Sequence, residues 1–271
     1  DAGGGSPSRV NAAQWGDGSG QTPVQLSTLG VNHRCALLSD GSAWCWGDGR
    51  KGQLGLGVFG NHGPPGRVNA SGWGSGAGQV RAASMDAGDR HTCIVLEDGS
   101  LWCWGWSHFG QLGLGDTSDR ALPERVSAGS WGSGPGRTPI ISVSAGYGHT
   151  CAIPSDGSLW CWGDGWAGRL GLGTSGSRST PARVKPGEWG SAPGQTQVTH
   201  VSAGSYHTCA TVSDGSLWCW GSGVYGILGL GNTASRLAPV RVIAGQLYQT
   251  GPHAAGACWH HHSMPLLSSA T

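Results

Sequence analysis

The sequence predicts an all-β chain built as a repeat β-propeller, and three observations carry that expectation. Fifty-two Gly and 14 Pro make up about a quarter of the 271 residues, a composition hostile to helices because each interior Gly costs about 1 kcal/mol. One unit recurs four times at a fixed step of 58 residues: Cys35, Cys93, Cys151 and Cys209 keep it, and so do Cys45, Cys103, Cys161 and Cys219. Short apolar stretches separated by turn residues fill each unit, with no helical periodicity. A small sheet of this kind cannot bury both of its faces alone, so neighbouring units have to stack around an axis.

The third copy shows how each element arises. Val143-Ser144-Ala145-Gly146 reads as a short strand ending in a turn. His149 to Ile153 and Leu159 to Trp162 flank Ser155-Asp156-Gly157 and read as a hairpin. Gly163, Gly168, Gly171 and Gly173 mark a glycine-rich turn region, Pro181 to Val184 a final edge strand, and Glu188-Trp189-Gly190 the start of the long connection. Trp15, Trp73, Trp131 and Trp189 share the 58-residue step, and twelve of the fifteen Trp belong to the lattice; Trp106, Trp166 and Trp259 stand outside it.

The hairpin fixes what the cysteines face. A three-residue loop of a type I turn followed by a left-handed Gly is a common connection, and Ser39-Asp40-Gly41 supplies it. Pairing outward sets Leu38 against Ser42, Leu37 against Ala43, Ala36 against Trp44 and Cys35 against Cys45. The cysteines then fall at a non-hydrogen-bonded position, where Cα atoms are about 4.5 Å apart, at the short end of disulfide geometry. Four cross-strand disulfides are expected, Cys35–Cys45, Cys93–Cys103, Cys151–Cys161 and Cys209–Cys219, and with them an oxidising, extracellular or cell-surface location. Two other states stay open: reduced, buried thiols, which would return the protein to the cell interior, and a zinc site from His91, Cys93 and Cys103. By the same alternation Cys93, Val95, Leu101 and Cys103 point one way and Ile94, Leu96, Trp102 and Trp104 the other. Both faces are apolar, as for a sheet between two neighbours, and the lattice Trp are expected in the core.

Charged residues are 11% of the chain and the formal net charge is +1, which leaves no footprint for nucleic acid or an anionic membrane. No apolar run reaches the 18 residues of a spanning helix. Asp1 opens the chain without Met or an apolar leader, so a processed product or a fragment is expected. Residues 6 to 29 match the second half of a unit, and the register holds to Gly245. Leu247 stands where Trp is due, and 246–271 matches nothing. The expected division is 1–245 for the propeller repeats and 246–271 for a non-repeat tail without structure of its own.

His149-Thr150-Cys151-Ala152, Asp156 to Gly163 and Gly110-Gln111-Leu112-Gly113-Leu114-Gly115-Asp116-Thr117 resemble the regulator of chromosome condensation repeat family, in register four times. The resemblance implies a seven-bladed β-propeller, and its cysteine-bearing version implies secretion. Four full repeats with partial ends would make an arc of that ring; a four-bladed ring sealed by the two half-repeats is the alternative. The family's usual Asn after Trp-Gly is replaced by Gly49, Ser107, Gly165 and Gly223.

The sequence offers no catalytic constellation, and neither an enzyme activity nor a cofactor is expected. His33, His91, His149 and His207 precede strands and read as structural, bonding a neighbouring backbone. Asp40, Asp98, Asp156 and Asp214 read as turn residues. Cys258, His260, His261 and His262 could bind a metal but lack a framework, so no metal site is assigned. The four residues after each Trp-Gly vary between copies and hold Arg50, Lys51, Trp106, His108, Phe109, Trp166 and Tyr225. Residues of these types suit a protein or glycan interface; tolerant solvent loops would look the same. Asn69-Ala70-Ser71 is a glycosylation sequon. The expected function is an extracellular binding or structural module, with further blades, neighbouring subunits or, as in secreted members that inhibit β-lactamase, a bacterial enzyme as partner. The alternative implied by the family is guanine nucleotide exchange on a Ran-type GTPase, which depends on a projecting wedge that these four copies lack. Its ultraviolet-B-sensing branch carries Trp before an Arg-His-Thr, where this chain has Asn32, Asp89-Arg90, Gly148 and Tyr206.

Overall fold

The computed structural model describes residues 22–73, 80–127, 129, 131, 138–184 and 197–243. Among the described residues sixteen strands form four antiparallel sheets of four, each a meander in chain order. Blade 1 holds β1 (Val24–Leu29), β2 (His33–Leu38), β3 (Ala43–Gly47) and β4 (His62–Arg67). Blade 2 holds β5 (Ala82–Ala87), β6 (His91–Leu96), β7 (Leu101–Gly105) and β8 (Arg120–Arg125). Blade 3 comprises β9 (Ile140–Ala145), β10 (His149–Pro154), β11 (Trp160–Gly163) and β12 (Arg178–Arg183). Blade 4 comprises β13 (Val198–Ala203), β14 (His207–Val212), β15 (Leu217–Gly221) and β16 (Arg236–Arg241). First strands pack on first strands, β1 on β5, β5 on β9 and β9 on β13. Among the described residues β13 does not pack on β1 in that way, so the blades form an arc. The tail 246–271 and the metal-prone Cys258 and His260 to His262 lie outside the described residues.

The hairpin register is the expected one: Cys35 faces Cys45, Ala36 faces Trp44 and Leu37 faces Ala43, with Gly41 at φ +80° in the turn. Asp40 Oδ1 accepts the Ser42 N–H at 2.8 Å and its hydroxyl at 2.7 Å, and Ser42 Oγ accepts the indole N–H of Trp44 at 3.0 Å. The same relay recurs at Asp98, Ser100 and Trp102. Disulfides join all four pairs across their hairpins, with Cα–Cα distances of 4.1 to 4.2 Å. This accounts for the sulfurs of Cys93 and Cys103 and removes the zinc alternative at that hairpin. Each outer strand carries Pro, at Pro64, Pro65, Pro123, Pro181 and Pro239, which blunts an exposed edge.

Three apolar layers lie between the blades, and each is built as the face assignment requires. Cys93, Val95, Leu101 and Cys103 of blade 2 meet Ala152, Trp160 and Trp162 of blade 3. Ile94, Leu96, Trp102 and Trp104 turn the other way, onto Cys35, Leu37, Leu54 and Trp73 of blade 1. Trp104, Trp162 and Trp220 are fully buried, so these lattice tryptophans are core residues.

Polar bonds lock the layers at the same 58-residue step. Thr28 Oγ1, Asp86 Oδ2 and Ser144 Oγ accept the N–H of Ala87, Ala145 and Ala203 in the following blade, at 2.9, 2.9 and 3.1 Å. His33, His91 and His149 bond Thr92, Thr150 and Thr208 of the following blade through Nε2, at 3.0, 2.9 and 2.8 Å. Each of these threonines donates back to a carbonyl of the preceding blade, that of Gln53, Gln111 or Arg169. The same carbonyls accept the indole N–H of Trp104, Trp162 and Trp220. His33, His91 and His149 are therefore structural, with one correction: the partner is a threonine hydroxyl, and the backbone is reached through it.

Candidate functional site

Each blade presents two variable segments at one end: the tight turn before its second strand and the loop that follows its third strand. Within that loop a side chain twelve residues on fastens the residue after Trp-Gly-X. Gly49 N–H goes to Asn61, Ser107 N–H to Asp119, Gly165 N–H to Ser177 and Gly223 N–H to Ser235, at 2.9 to 3.3 Å. With the loop base fixed this way, the residues between are free to differ.

On blades 2 to 4 these segments join into one strip of aromatic rings. Trp106 stacks on His108 at 5.8 Å between ring centres and meets Phe109 edge-on at 5.3 Å. Across the blade boundary it meets Tyr147 at 5.8 Å. Tyr147 lies 6.0 Å from Tyr206 of blade 4, which in turn meets Trp166 edge-on at 5.6 Å. Two guanidinium groups complete the strip: Arg90 lies over Trp106 at 5.9 Å, and Arg169 over Trp166 at 5.4 Å and Tyr206 at 5.0 Å. Cation–π contacts of this kind contribute about 0.5–2 kcal/mol each. Arg169 is buried and paired with Asp164 at 3.1 Å, with further bonds to the carbonyls of Trp166 and Ser205. Burial pulls its pKa down and the Asp164 carboxylate opposes that pull. Trp166 is 55% exposed and Tyr206 49% exposed, so a supported ring surface faces solvent.

Four of the seven residues singled out from the sequence, Trp106, His108, Phe109 and Trp166, fall within this strip. Arg50 and Lys51 occupy the blade 1 loop and are engaged electrostatically. Arg50 pairs with Asp48 at 2.9 Å and holds its carboxyl below the usual range, while Lys51 reaches Asp119 of blade 2 at 3.1 Å. Tyr225 stands in the blade 4 loop, 92% exposed and left-handed at φ +61°, a conformation that side chains avoid unless their surroundings impose it. Sequence reasoning missed Arg90, Tyr147, Arg169 and Tyr206. The signal was present, since the pair before each repeated His varies as freely as the loops: Val31-Asn32, Asp89-Arg90, Tyr147-Gly148 and Ser205-Tyr206. Asn69 is exposed, and its Oδ1 accepts the Ser71 N–H at 3.0 Å.

Four-stranded blades stacked through their first strands, with variable loops gathered at one end, define a repeat β-propeller. The chain belongs to the regulator of chromosome condensation (RCC1) repeat family, whose model matches residues 40–95, 98–153, 156–211 and 214–264. It is 34% identical over 216 residues to the ultraviolet-B receptor UVR8 of Arabidopsis thaliana, covering 80% of this chain and 45% of that protein. It is 33% identical over 222 residues to the probable E3 ubiquitin-protein ligase HERC3 of Homo sapiens, covering 81% of this chain and 19% of that protein. The chain thus spans less than half the length of these curated relatives. Human WBSCR16 superposes with a TM-score of 0.71 at 25% identity, over 83% of this chain and 54% of that one. Prp20p from Saccharomyces cerevisiae superposes with a TM-score of 0.66 at 22% identity, over 83% and 52%, and shows the shared fold.

Proposed function

We propose that the chain is a non-catalytic binding propeller of an oxidising, extracellular compartment, and that the strip from Arg90 and Trp106 to Tyr206 and Trp166 holds a protein partner. One observation carries the reading: rings and guanidinium groups from three blades converge on one face of the arc and pack on each other. Trp, Tyr and Arg are the residues that dominate binding energy at protein interfaces, and neighbours here hold them in place before any partner arrives, which lowers the ordering cost of association. The family supports the coarser statement of a protein-binding or regulatory propeller: yeast RCC1 was solved bound to Kap60, and Prp20p has binding properties to Gsp1p and histones. The compartment rests on the four disulfides, since thiols are kept reduced in the cytosol and nucleus. The exposed sequon at Asn69 fits the same compartment.

Two measurements test this. Intact mass after thiol alkylation without reductant should show eight of the nine cysteines protected; nine reactive thiols would sink the extracellular reading. Affinity capture from the extracellular fraction of the source organism should then retain a protein on the native chain but not on Trp106→Ala/Trp166→Ala, with unchanged melting temperature. Equal capture by both forms would remove the strip from the interface. Retention of a glycan in place of a protein would change the ligand class.

A further inference from the structure

The loop after each third strand contains the same four-residue turn, closed by one backbone bond: Gly52 N–H to the Gly49 carbonyl, Gly110 to Ser107, Gly168 to Gly165 and Gly226 to Gly223. Its middle peptide nevertheless has two settings. In blades 3 and 4 the third residue of the turn is left-handed, Ala167 at φ +56° and Tyr225 at φ +61°. In blades 1 and 2 the third residue is Lys51 or Phe109, and neither has a positive φ. A left-handed third residue belongs to a type II turn and a right-handed one to a type I turn, and the two differ by a flip of the middle peptide. Neither Ala nor Tyr favours the left-handed region, so a neighbour has to impose it.

The residue that follows the turn differs in the same way. It is Gln53 and Gln111 in blades 1 and 2, Arg169 and Ile227 in blades 3 and 4. Gln53 Oε1 accepts the Lys51 N–H at 2.9 Å and Gln111 Oε1 accepts that of Phe109 at 3.0 Å, so the middle peptide turns its N–H inward. Arginine offers only donors, and Arg169 takes the other end of the same peptide: its Nε–H goes to the Trp166 carbonyl at 3.1 Å. Its backbone N–H reaches that carbonyl at 3.4 Å, as the Ile227 N–H reaches the Val224 carbonyl. The isoleucine side chain has no acceptor, so an inward Tyr225 N–H would be left unpaired. Cover by a following blade does not decide the setting, because Gln53, Gln111 and Arg169 are all at most 1% exposed.

A trans peptide that turns one polar group inward turns the other outward. Blades 1 and 2 thus direct a carbonyl outward, from Arg50 and His108, and blades 3 and 4 an N–H, from Ala167 and Tyr225. Among the described residues no hydrogen bond uses the Ala167 or Tyr225 N–H. The third side chain follows its peptide: Phe109 packs edge-on against Trp106 and His108 at 5.3 and 4.9 Å, whereas Tyr225 is 92% exposed. We propose that positions 53, 111, 169 and 227 determine the specificity of the binding face. Glutamine there makes a blade offer a partner a carbonyl, and a residue without a side-chain acceptor makes it offer an N–H. A partner then has to bring acceptors to the Trp166 end of the strip and donors to the Trp106 end. That consequence rests on the strip being the interface; the setting of each peptide does not.

The test is nuclear magnetic resonance of the free, full chain, reading the Overhauser effect between the Hα of the second turn residue and the N–H of the third. That effect is strong when the N–H is turned outward and weak when it is turned inward. Gln111→Met keeps the length of the side chain and removes one bond, since Nε2 of Gln111 has no hydrogen-bond partner. The His108–Phe109 effect should rise at least about fivefold, to the level of Trp166–Ala167. Ile227→Gln adds an acceptor, so the Val224–Tyr225 effect should fall by a similar factor and the Tyr225 amide should exchange more slowly with solvent. Slower exchange cannot come from local unfolding. A Gln111→Met chain with the native circular dichroism and an unchanged His108–Phe109 effect overturns the proposal, and so does an Ile227→Gln chain with an unchanged Val224–Tyr225 effect. Because no partner is present, failure here would not remove the strip from the interface, and failed capture on the strip would not change these peptide settings.

Discussion

At Thr150 the hydroxyl hydrogen goes to the Gln111 carbonyl at 2.8 Å, so the same oxygen has to accept from His91 Nε2–H. This fixes the His91 tautomer: Nε2 carries the proton, and Nδ1 is bare, buried and without a hydrogen-bond partner. Thr150→Val keeps the shape and removes both bonds, leaving a buried imidazole N–H unsatisfied at a cost of about 2–3 kcal/mol. Thr150→Ser keeps the hydroxyl and should cost less than about 1 kcal/mol, mostly the lost methyl group. Denaturant midpoints at neutral pH compare the two, and equal losses would mean that packing, and not the hydroxyl, joins these blades. Arg169 is a second residue where one substitution tests a local account. It stands where Gln53 and Gln111 stand in the earlier blades, and it brings a buried charge beneath the rings of Trp166 and Tyr206. Arg169→Met would leave the nearly buried Asp164 carboxylate without its cation and should cost about 3 kcal/mol. Adding Asp164→Asn should recover part of that loss; no recovery in the double variant would show that the pair is not coupled.

Among elements, the cysteine hairpin was the most legible, because a three-residue turn with Gly41 at positive φ sets every pairing up to Cys35 and Cys45. Periodicity two then assigned the faces, and the blade–blade layers follow them. The aromatic strip could not be read the same way. Trp106 meets Tyr147, and Tyr147 meets Tyr206, across blade boundaries, and a repeat length gives neither the angle between blades nor which loop crosses to which turn. The threonine partner of each histidine lay hidden for that reason too, although His-Thr-Cys stands in three of the four repeats. Each hairpin disulfide closes a short ring and should contribute about 2–3 kcal/mol by restricting the unfolded chain. The hairpins differ in access: the cysteines of blades 1 to 3 are fully buried, whereas Cys209 of blade 4 is half-buried. Limited reduction followed by alkylation and mass mapping should label Cys209 and Cys219 first, and earlier labelling of Cys93–Cys103 would contradict that order.

Over the whole arc, three neutral imidazoles lie in series between the blades, and this makes the stacking sensitive to acid. Burial lowers the pKa of His33 from 6.5 to about 4, with Arg34 acting the same way and Asp48 opposing. Burial lowers that of His91 to about 3, aided by His33, and that of His149 well below 6.5, with Arg169 and the neighbouring histidines adding to the effect. Below pH 6.5 the unfolded chain therefore binds protons that the folded chain refuses. Each histidine then removes about 1.4 kcal/mol of stability per pH unit, from 6.5 down to its folded pKa. With all three acting, the slope approaches about 4 kcal/mol per pH unit between pH 6 and 4. The carboxylates held low by hydrogen bonds, Asp48, Asp116 and Asp214, add their loss only below the ordinary carboxylate pKa, so the two contributions separate on the pH axis. Urea unfolding at pH 7.5, 6.0, 5.0 and 4.5 should show full stability at the first and a steep fall through the rest. His91→Gln keeps a side-chain N–H for Thr150 and removes one titrating group, so its slope should be shallower by about 1.4 kcal/mol per pH unit. A stability that stays level from pH 7.5 to 5.0, or a His91→Gln slope equal to the native one, would mean that these imidazoles do not carry the acid sensitivity of the arc.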